Sequence, residues 1–181
     1  MRMVLDACVL YPTVLREILL GLAKEGLFEP VWSERILREW VLATGKISPE
    51  APIIAAGEAA MARAAFPRAL QSAQPQIEAK LSLPDANDIH VLAVAISSHA
   101  DAIVTFNAQD FPRPMLAEWG IERRDPDGFL WEMHSRNPEV VARVAEGVRG
   151  TAERLSGQPM PIKTLMKRLQ LHRFGKALAQ D

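Results

Sequence analysis

The stretch Met3-Val4-Leu5-Asp6 decides the fold class, together with Ala102-Ile103-Val104-Thr105-Phe106 further along the chain. Each begins with a short apolar run of the kind that forms a strand buried on both faces of a parallel sheet. Ile89, Leu92 and Ile96 recur at helical spacing just before the second of these strands. Strands that alternate with helices predict an α/β fold in which a small parallel sheet is flanked by helices.

The rest of the chain extends this alternation. Helices are predicted from residue 14 to about 22 and from 34 to about 41, the second capped by Ser33, and two short ones within 48–80. Residues 28–32 predict a strand in spite of Pro30, and Ile121 begins a last short one. Beyond about residue 126 the strand signal disappears, and helices are predicted around 138–154 and 162–171. We therefore expect an α/β domain over residues 1–125 and a helical C-terminal extension over residues 126–181.

Composition excludes several classes of protein. The 181 residues are 49% apolar and carry 21 basic against 22 acidic side chains, which argues against a wholly basic nucleic-acid binder. The single cysteine, Cys8, excludes an internal disulfide and a cysteine-rich zinc site. The longest apolar runs are far shorter than a membrane span, and Asp6 interrupts the apolar start, so we expect a cytoplasmic protein with no membrane partner.

Aspartates follow both predicted strands at their carboxyl ends. Asp6 closes the first strand, and Asp110 follows the second after a short loop, while Asp88 opens the helix between them. Because ligands of open parallel sheets bind beyond the carboxyl ends of the strands, we expect these carboxylates to converge on one crevice. Each also has an ordinary alternative, as a turn or capping residue that accepts hydrogen bonds from backbone N–H groups.

Converging carboxylates repel one another unless a cation binds between them. An all-oxygen set of ligands with open positions favours Mg²⁺ or Mn²⁺. Such an ion polarises a phosphoryl group and lowers the pKa of a bound water. Motifs for other chemistries are absent from the sequence, including a phosphate-binding glycine loop, a nucleophile elbow and a zinc helix. The crevice therefore indicates phosphodiester hydrolysis by a metal-activated water.

Five other residues near these motifs are given more ordinary roles. Glu39, taken alone, is more typical of a solvated helix residue, and Asp85 of a cap or turn. Asp101 precedes its strand, so we expect it at the opposite edge of the sheet with a structural role. His90 is expected to be a half-buried or surface histidine, and Cys8 a small buried filler.

Three parts of the chain, in this order and spacing, resemble the PIN-domain family. PIN domains are metal-dependent ribonucleases with a small parallel sheet between helices, and the resemblance covers about residues 2–125. Small bacterial members are mostly VapC-type toxins of toxin–antitoxin pairs, and this chain is similar to the longer branch with a helical C-terminal extension. The parts that carry the resemblance are Val4-Leu5-Asp6-Ala7-Cys8-Val9-Leu10, Ser33-Glu34-Arg35-Ile36-Leu37-Arg38-Glu39, and Asp85-Ala86-Asn87-Asp88-Ile89-His90-Val91-Leu92-Ala93 followed by residues 100–111.

The resemblance implies a Mg²⁺- or Mn²⁺-dependent endoribonuclease, with transfer RNA or ribosomal RNA as the substrate. It also implies a cognate antitoxin protein that holds the enzyme inactive, and a homodimer. The catalytic and metal-binding residues that it implies are Asp6, Glu39 and Asp88 as the core acids and Asp110 as the fourth, with Thr105 and Asn107 in support.

The chain departs from the family's pattern at two positions. Cys8 stands where many relatives carry Asn or Ser, which weakens a supporting role for that position. Asn107 stands where many relatives carry Asp, and Asp110 is expected to substitute for it as the fourth ligand.

The predicted extension is basic. Residues 137–181 carry 8 basic and 4 acidic residues, so the net charge there is +4. We predict that a cluster of cations in this part contacts RNA phosphates, the alternative being an ordinary solvated helix face. The cluster consists of Lys163, Lys167, Arg168 and Arg173.

Two other functions are compatible with strand-end aspartates. A receiver-like regulatory domain also combines them with Mg²⁺, but it needs a lysine at the end of a late strand, where this chain has Thr105-Phe106-Asn107. A catalytically inactive PIN scaffold that only binds RNA or protein is the other, and the complete set of acids argues against it.

Overall fold

The computed structural model describes residues 1–179, and its central feature is a five-stranded sheet. All its strand pairs are parallel, as the sequence predicts. The strands lie in the order β3-β2-β1-β4-β5. Their bounds are β1 (Arg2–Leu5), β2 (Glu29–Ser33), β3 (Leu70–Gln71), β4 (Ala102–Val104) and β5 (Glu122–Arg124). The sheet is flanked by helices, which confirms the predicted fold class.

Helices make up most of the rest of the chain. Two short 3₁₀ turns, Thr44–Lys46 and Ala86–Asp88, accompany them. The helices are α1 (Ala7–Leu10), α2 (Thr13–Lys24), α3 (Glu34–Ala43), α4 (Ala51–Ala65), α5 (Pro75–Glu78), α6 (Ile89–Ser97), α7 (Arg113–Ala117), α8 (Pro126–Arg136), α9 (Pro138–Ser156), α10 (Ile162–Arg168) and α11 (His172–Leu178).

The centre of the sheet is fully buried. Met3, Val4 and Leu5 of β1 have no exposed surface, and Ile103 and Val104 of β4 are equally buried. Burial on both faces explains why these strands read as continuous apolar runs rather than as alternating ones. The sheet therefore fixes where each strand ends, and with it the positions of the acids that follow.

Pro30 lies inside β2, where a missing N–H would normally break the ladder. The N–H of Glu29 donates to the β1 side, to Met1 O at 2.8 Å. The next donor on the opposite side is Trp32, whose N–H bonds Ala69 O at 3.0 Å, so β3 begins only there. The nitrogen of Pro30 points to the side that has no partner at its level, and the strand keeps its hydrogen bonds.

Local signals mark the helix ends as predicted. The Ser33 side chain accepts a hydrogen bond from Ile36 N at 3.2 Å and so caps α3. Gly26, just past α2, has a φ of +77°, which favours glycine. Helices α1, α7, α8 and α11 and strand β3 were not predicted. All but α8 have seven residues or fewer, too few for a periodicity to stand out, and the eleven residues of α8 show no clear amphipathic pattern.

The described chain divides into two compact units. The first comprises residues 1–11 and 28–124 and contains the sheet with all the candidate acids. The second comprises residues 12–27 and the chain from residue 125 onward, and is helical. Helix α2 therefore groups with the carboxyl-terminal helices although it comes early in the sequence. The division into domains at residue 125 stays a prediction.

Within residues 1–179, no helix is both long and apolar enough to cross a membrane.

Alanine substitutions at two helical glycines test the packing of the second unit, with Gly21 at a close contact and Gly57 as the control. A Cβ on Gly21 in α2 would lie 2.6 Å from Val144 Cγ1 of α9, whereas a Cβ on Gly57 in α4 would meet nothing within 4 Å. We expect Gly21→Ala to lower the free energy of unfolding by about 1–3 kcal/mol. Gly57→Ala should raise it by about 0.5–1 kcal/mol, since alanine favours helices. Denaturant unfolding measures both, and equal effects would contradict the close α2–α9 contact.

Candidate active site

The pairing of β1 with β4 brings Asp6 and Thr105 together at the carboxyl edge of the sheet. Leu5 lies opposite Val104, and the N–H of Asp6 continues the ladder to Val104 O at 3.2 Å. The Thr105 hydroxyl then donates to Asp6 Oδ2 at 2.7 Å. Both side chains are buried, so the bond forms away from solvent, where an unpaired carboxylate would be costly.

Asp6 does not act as a helix cap. It precedes α1, yet among the described residues its side chain makes no capping hydrogen bond. Its side-chain partners are instead a hydroxyl and a thiol, both of which bond Oδ2. The ordinary alternative for this residue, a turn aspartate bonded to backbone N–H groups, is not what the structure contains.

Cys8 supports Asp6 directly. Its thiol lies 3.1 Å from Asp6 Oδ2 and 3.3 Å from Thr105 Oγ1, and it accepts from Phe106 N at 3.3 Å. Burial, followed by the charge of Asp6, raises the pKa of this thiol to about 12, so it remains a neutral donor at physiological pH. The expectation that Cys8 is only a small buried filler was wrong. We also expected cysteine at position 8 to weaken any supporting role of that position, but the thiol does donate a hydrogen bond to Asp6.

Three aspartates form an acidic group at the same edge. Carboxylate oxygens of Asp85, Asp88 and Asp110 lie within 4.8 Å of one another, in a geometry that a metal ion can occupy. Asp85 caps the 3₁₀ turn before α6 by accepting from Asn87 N at 2.9 Å, and Asp88 ends that turn. We call Asp85, Asp88 and Asp110 the acidic group.

The loop that carries Asp110 is tied to β5. Arg123 Nη1 donates to Ala108 O at 2.6 Å and to Phe111 O at 3.1 Å. These two carbonyls flank Asp110, so one guanidinium holds both ends of the short segment on which that carboxylate lies. The fourth acid therefore sits on a braced loop rather than on a regular element.

The pKa of Asp88 reflects the crowding of carboxylates at this edge of the sheet. Burial raises its pKa to about 6, and the charges of Asp6, Asp85 and Asp110 contribute in that order, partly offset by His90. Asp6 is therefore close enough to act on Asp88, although it lies outside the acidic group itself. A bound cation would relieve this repulsion, and the all-oxygen donors fit Mg²⁺ or Mn²⁺.

Glu39 contacts Arg35 and His90 and does not belong to the acidic group. Its Oε1 lies 3.0 Å from Arg35 Nε and 3.1 Å from His90 Nε2. Burial pushes the pKa of Glu39 upward, but the contacts with His90 and then Arg35 hold it below the ordinary value. Glu39 thus stays a carboxylate, and it is linked to Asp88 through His90, which acts on both.

His90 differs from its expected place. It is 2% exposed, not half-buried or on the surface, and it occupies the first turn of α6 beside Glu39. Arg35 reinforces the same junction by donating from Nη2 to Asn87 O at 3.2 Å. Helix α3 is therefore connected to the turn that carries Asp85 and Asp88.

Asn107 connects the end of β4 to Asp88. Its N–H donates to Thr105 Oγ1 at 2.9 Å, and its Nδ2 donates to Asp88 Oδ2 at 3.2 Å. Thr105 and Asn107 form a hydrogen-bonded path from Asp6 to Asp88. These contacts suit the supporting roles that the sequence predicts for them, which stay predictions.

Asp85 is the member of the group that sequence reasoning missed. It does cap a turn, as expected, but its carboxylate also lies within 4.8 Å of the carboxylates of Asp88 and Asp110. The D-x-x-D spacing was the available signal. Asp101 lies at the opposite edge, as predicted, where its Oδ2 accepts from Arg2 N at 2.6 Å.

Comparison with known proteins gives one family. A family model described as PIN domain matches residues 2–109. The matched range contains Asp6, Glu39, Asp85 and Asp88 and ends one residue before Asp110. No curated protein and no solved structure matches the chain.

The raised pKa of Asp88 makes the stability of the metal-free protein depend on pH. The ordinary pKa is 3.8 and the folded one about 6, so the folded state holds an extra proton between them, and stability falls as the pH rises through this window. Asp88→Asn removes the effect. At pH 7.5 in chelator, we expect its Tm to exceed that of the wild type by about 2–4 °C, or about 1 kcal/mol allowing for solvent screening.

At pH 3.5 the two melting temperatures should converge. The matched control is Asp101→Asn, which removes a carboxylate at the other edge of the sheet and should bring no gain at pH 7.5. A lower Tm for Asp88→Asn than for the wild type at pH 7.5 would show that Asp88 is a structural cap.

Proposed function

Because the chain belongs to the PIN-domain family, we propose that it is a metal-dependent endoribonuclease that hydrolyses RNA phosphodiester bonds with a metal-activated water. PIN domains are generally nucleases, and the family match covers more than half of the chain. The observation that carries the proposal is the acidic group Asp85, Asp88 and Asp110 beside Asp6 at the carboxyl edge of the sheet. Repelling carboxylates that the fold holds together indicate a cation site rather than a structural cluster.

The residues that would hold the cation are Asp88 and Asp110, with Asp6 and Asp85. When bound, Mg²⁺ or Mn²⁺ supplies Lewis-acid polarisation of a phosphoryl oxygen and lowers the pKa of a coordinated water. Thr105 and Cys8 hold Asp6 through Oδ2, so Oδ1 would be its ligand atom for the cation.

Glu39 joins them as the remaining catalytic carboxylate. Its pKa lies below the ordinary value, so it is ionised at neutral pH and accepts a proton or a ligand bond without first losing a proton. His90 and Arg35 orient its Oε1. Glu39 lies outside the acidic group but contacts His90, which also acts on Asp88, and the catalytic role of Glu39 rests on this link.

The RNA substrate would also be bound by cations of the second unit. Lys163, Lys167, Arg168 and Arg173 are exposed on α10 and α11, and we assign them to phosphate contacts. Transfer RNA or ribosomal RNA is the proposed target. The support is the charge and exposure of these residues together with the nuclease family of the first unit.

We further propose that the enzyme is the toxin of a toxin–antitoxin pair. Helix α4 exposes Ile53, Ile54 and Met61, each at least 65% accessible, and apolar surfaces of this kind mark protein interfaces. A groove of about 510 Å³ runs between α3 and α4, and its lining carries Arg35, Arg38 and Arg63 against one acid, Glu34, which pairs with Arg63.

An acidic amphipathic segment of an antitoxin suits that groove better than a second copy, whose matching face would bring like charges together. A homodimer through another face stays a prediction. Co-purification with the product of the neighbouring reading frame supports the antitoxin, and its absence from the complex would contradict it.

Cleavage tests the metal mechanism. Purified wild-type protein should cut RNA in Mg²⁺ or Mn²⁺ and stop in excess chelator, since the acids have no catalytic partner without the cation. Asp88→Asn should lower single-turnover cleavage by at least about 100-fold without a loss of Tm, which is the scale of removing a transition-state interaction of about 2.7 kcal/mol. The fragments, separated on a denaturing gel, report the rate.

Asp101→Asn is the matched control, with the same chemical change at the opposite edge of the sheet. It should keep cleavage near the wild-type rate, and any loss should follow its Tm. Cleavage that persists in excess chelator would contradict the proposal. So would a loss of cleavage in Asp101→Asn but not in Asp88→Asn. Metal binding without any cleavage would leave the inactive scaffold as the correct function.

A further inference from the structure

The carboxyl-terminal helices form a cationic hairpin. Residues 159–179 contain five lysines and arginines and no acid. All five are exposed, and among the described residues none forms an ion pair with a carboxylate. Leu165, Met166, Leu171 and Phe174 lie buried beneath them. We call α10 and α11 with these cations the basic hairpin: Lys163, Lys167, Arg168, Arg173 and Lys176.

The hairpin carries an arginine stacked on an aromatic ring. The Arg173 Cζ lies 4.3 Å from the ring centroid of Trp131 on α8. Trp131 is 40% exposed and Arg173 is exposed as well, so the pair stands at the surface and both side chains are in contact with solvent. A cation over an exposed ring contributes only about 0.5–1 kcal/mol to stability, so this contact by itself stabilises the fold little.

The backbone fixes this pair in place. Asp127 accepts from Arg173 N at 3.0 Å and from Phe174 N at 2.9 Å. Asp127 and Trp131 are four residues apart on α8, so they share one face of the helix. Phe174 is fully buried and packs edge-on against His134, with ring centroids 6.3 Å apart. The start of α11 is thus anchored, and Arg173 is preassembled over Trp131.

We infer that the basic hairpin and Trp131 form a binding site for unpaired RNA. The stacked Trp131–Arg173 pair receives an exposed base, and the surrounding lysines and Arg168 contact the phosphates on either side. Aromatic and guanidinium planes stack on any base, whereas a paired base has no free face to offer. The inference rests on the proposed function in that RNA is taken as the substrate, and it narrows the substrate to single-stranded segments or loops.

Other partners fit this surface less well. Over residues 159–179 the structure exposes no large apolar side chain, which a membrane-binding helix needs on its buried face. An acidic protein would match the charge but would leave the exposed stacked pair without a planar partner. A nucleic-acid strand supplies both phosphates and planar rings.

The test measures binding rather than cleavage. Full-length protein is titrated in chelator against a fluorescent single-stranded RNA of about 12 nucleotides and against a duplex of the same sequence, with fluorescence anisotropy as the readout. Trp131→Ala should weaken single-strand binding by about 5- to 100-fold and leave duplex binding almost unchanged. Arg173→Lys keeps the charge but loses the plane, and should show the same selective loss.

Two controls separate stacking from charge and folding. Trp119→Ala removes a tryptophan of similar exposure, 47%, from the first unit and should leave both affinities unchanged. Arg154→Ala removes one exposed charge from α9 and should weaken both RNAs alike. Lys163→Ala and Lys167→Ala should each reduce the salt dependence of binding, log Kd against log salt, by about 0.7.

The inference would be overturned if Trp131→Ala, like Trp119→Ala, left the affinity for single-stranded RNA unchanged. It would also be overturned if Trp131→Ala lowered the affinities for single-stranded and duplex RNA equally. Selective loss with an unchanged Tm supports it. Because chelator removes cleavage from the measurement, the two proposals fail separately. A protein that binds unpaired RNA through Trp131 but never cuts it refutes only the nuclease, and one that cuts RNA but binds without Trp131 refutes only this site.

Discussion

The parallel pairing of β1 with β4 is the constraint on which the candidate site depends. With Leu5 opposite Val104, the next residue of each strand, Asp6 and Thr105, must emerge side by side at the carboxyl edge. The hydroxyl-to-carboxylate bond of 2.7 Å between them is a consequence of this register. A slip of one residue would turn every side chain of β1 to the opposite face relative to β4 and would separate Asp6 from Thr105, so this register sets the position of Asp6.

The fold holds its acids together at a cost. The pKa of Asp88 rises to about 6 because burial and three neighbouring carboxylates disfavour its charge. The hydrogen bonds around Asp6 and Asp88 fix positions without neutralising charge, since Thr105, Cys8 and Asn107 are all neutral donors. Destabilised clusters of this kind are typical of functional sites rather than of cores, and a divalent cation is the group that would balance them.

Much of the fold could be predicted from the sequence because its central strands are buried on both faces and because local signals mark some helix ends, as Ser33 does for α3. The acids at strand ends followed from the same reasoning, by the geometry of parallel sheets. What could not be read were contacts made across the fold. The donation from Cys8 to Asp6, the burial of His90 beside Glu39 and the approach of Asp85 to Asp88 depend on distances that local pattern does not encode.

The most direct test of the central claim is to locate the cation itself. In crystals grown with Mn²⁺, an anomalous difference map is expected to show a peak within about 2.2 Å of carboxylate oxygens of Asp88 and Asp110, with Asp6 or Asp85 in the same shell. Crystals of the Asp88→Asn variant, grown in the same way, should lose the peak. A Mn²⁺ peak elsewhere, or an empty acidic group in well-ordered wild-type crystals at millimolar Mn²⁺, would contradict a metal-dependent active site at the carboxyl edge of this sheet.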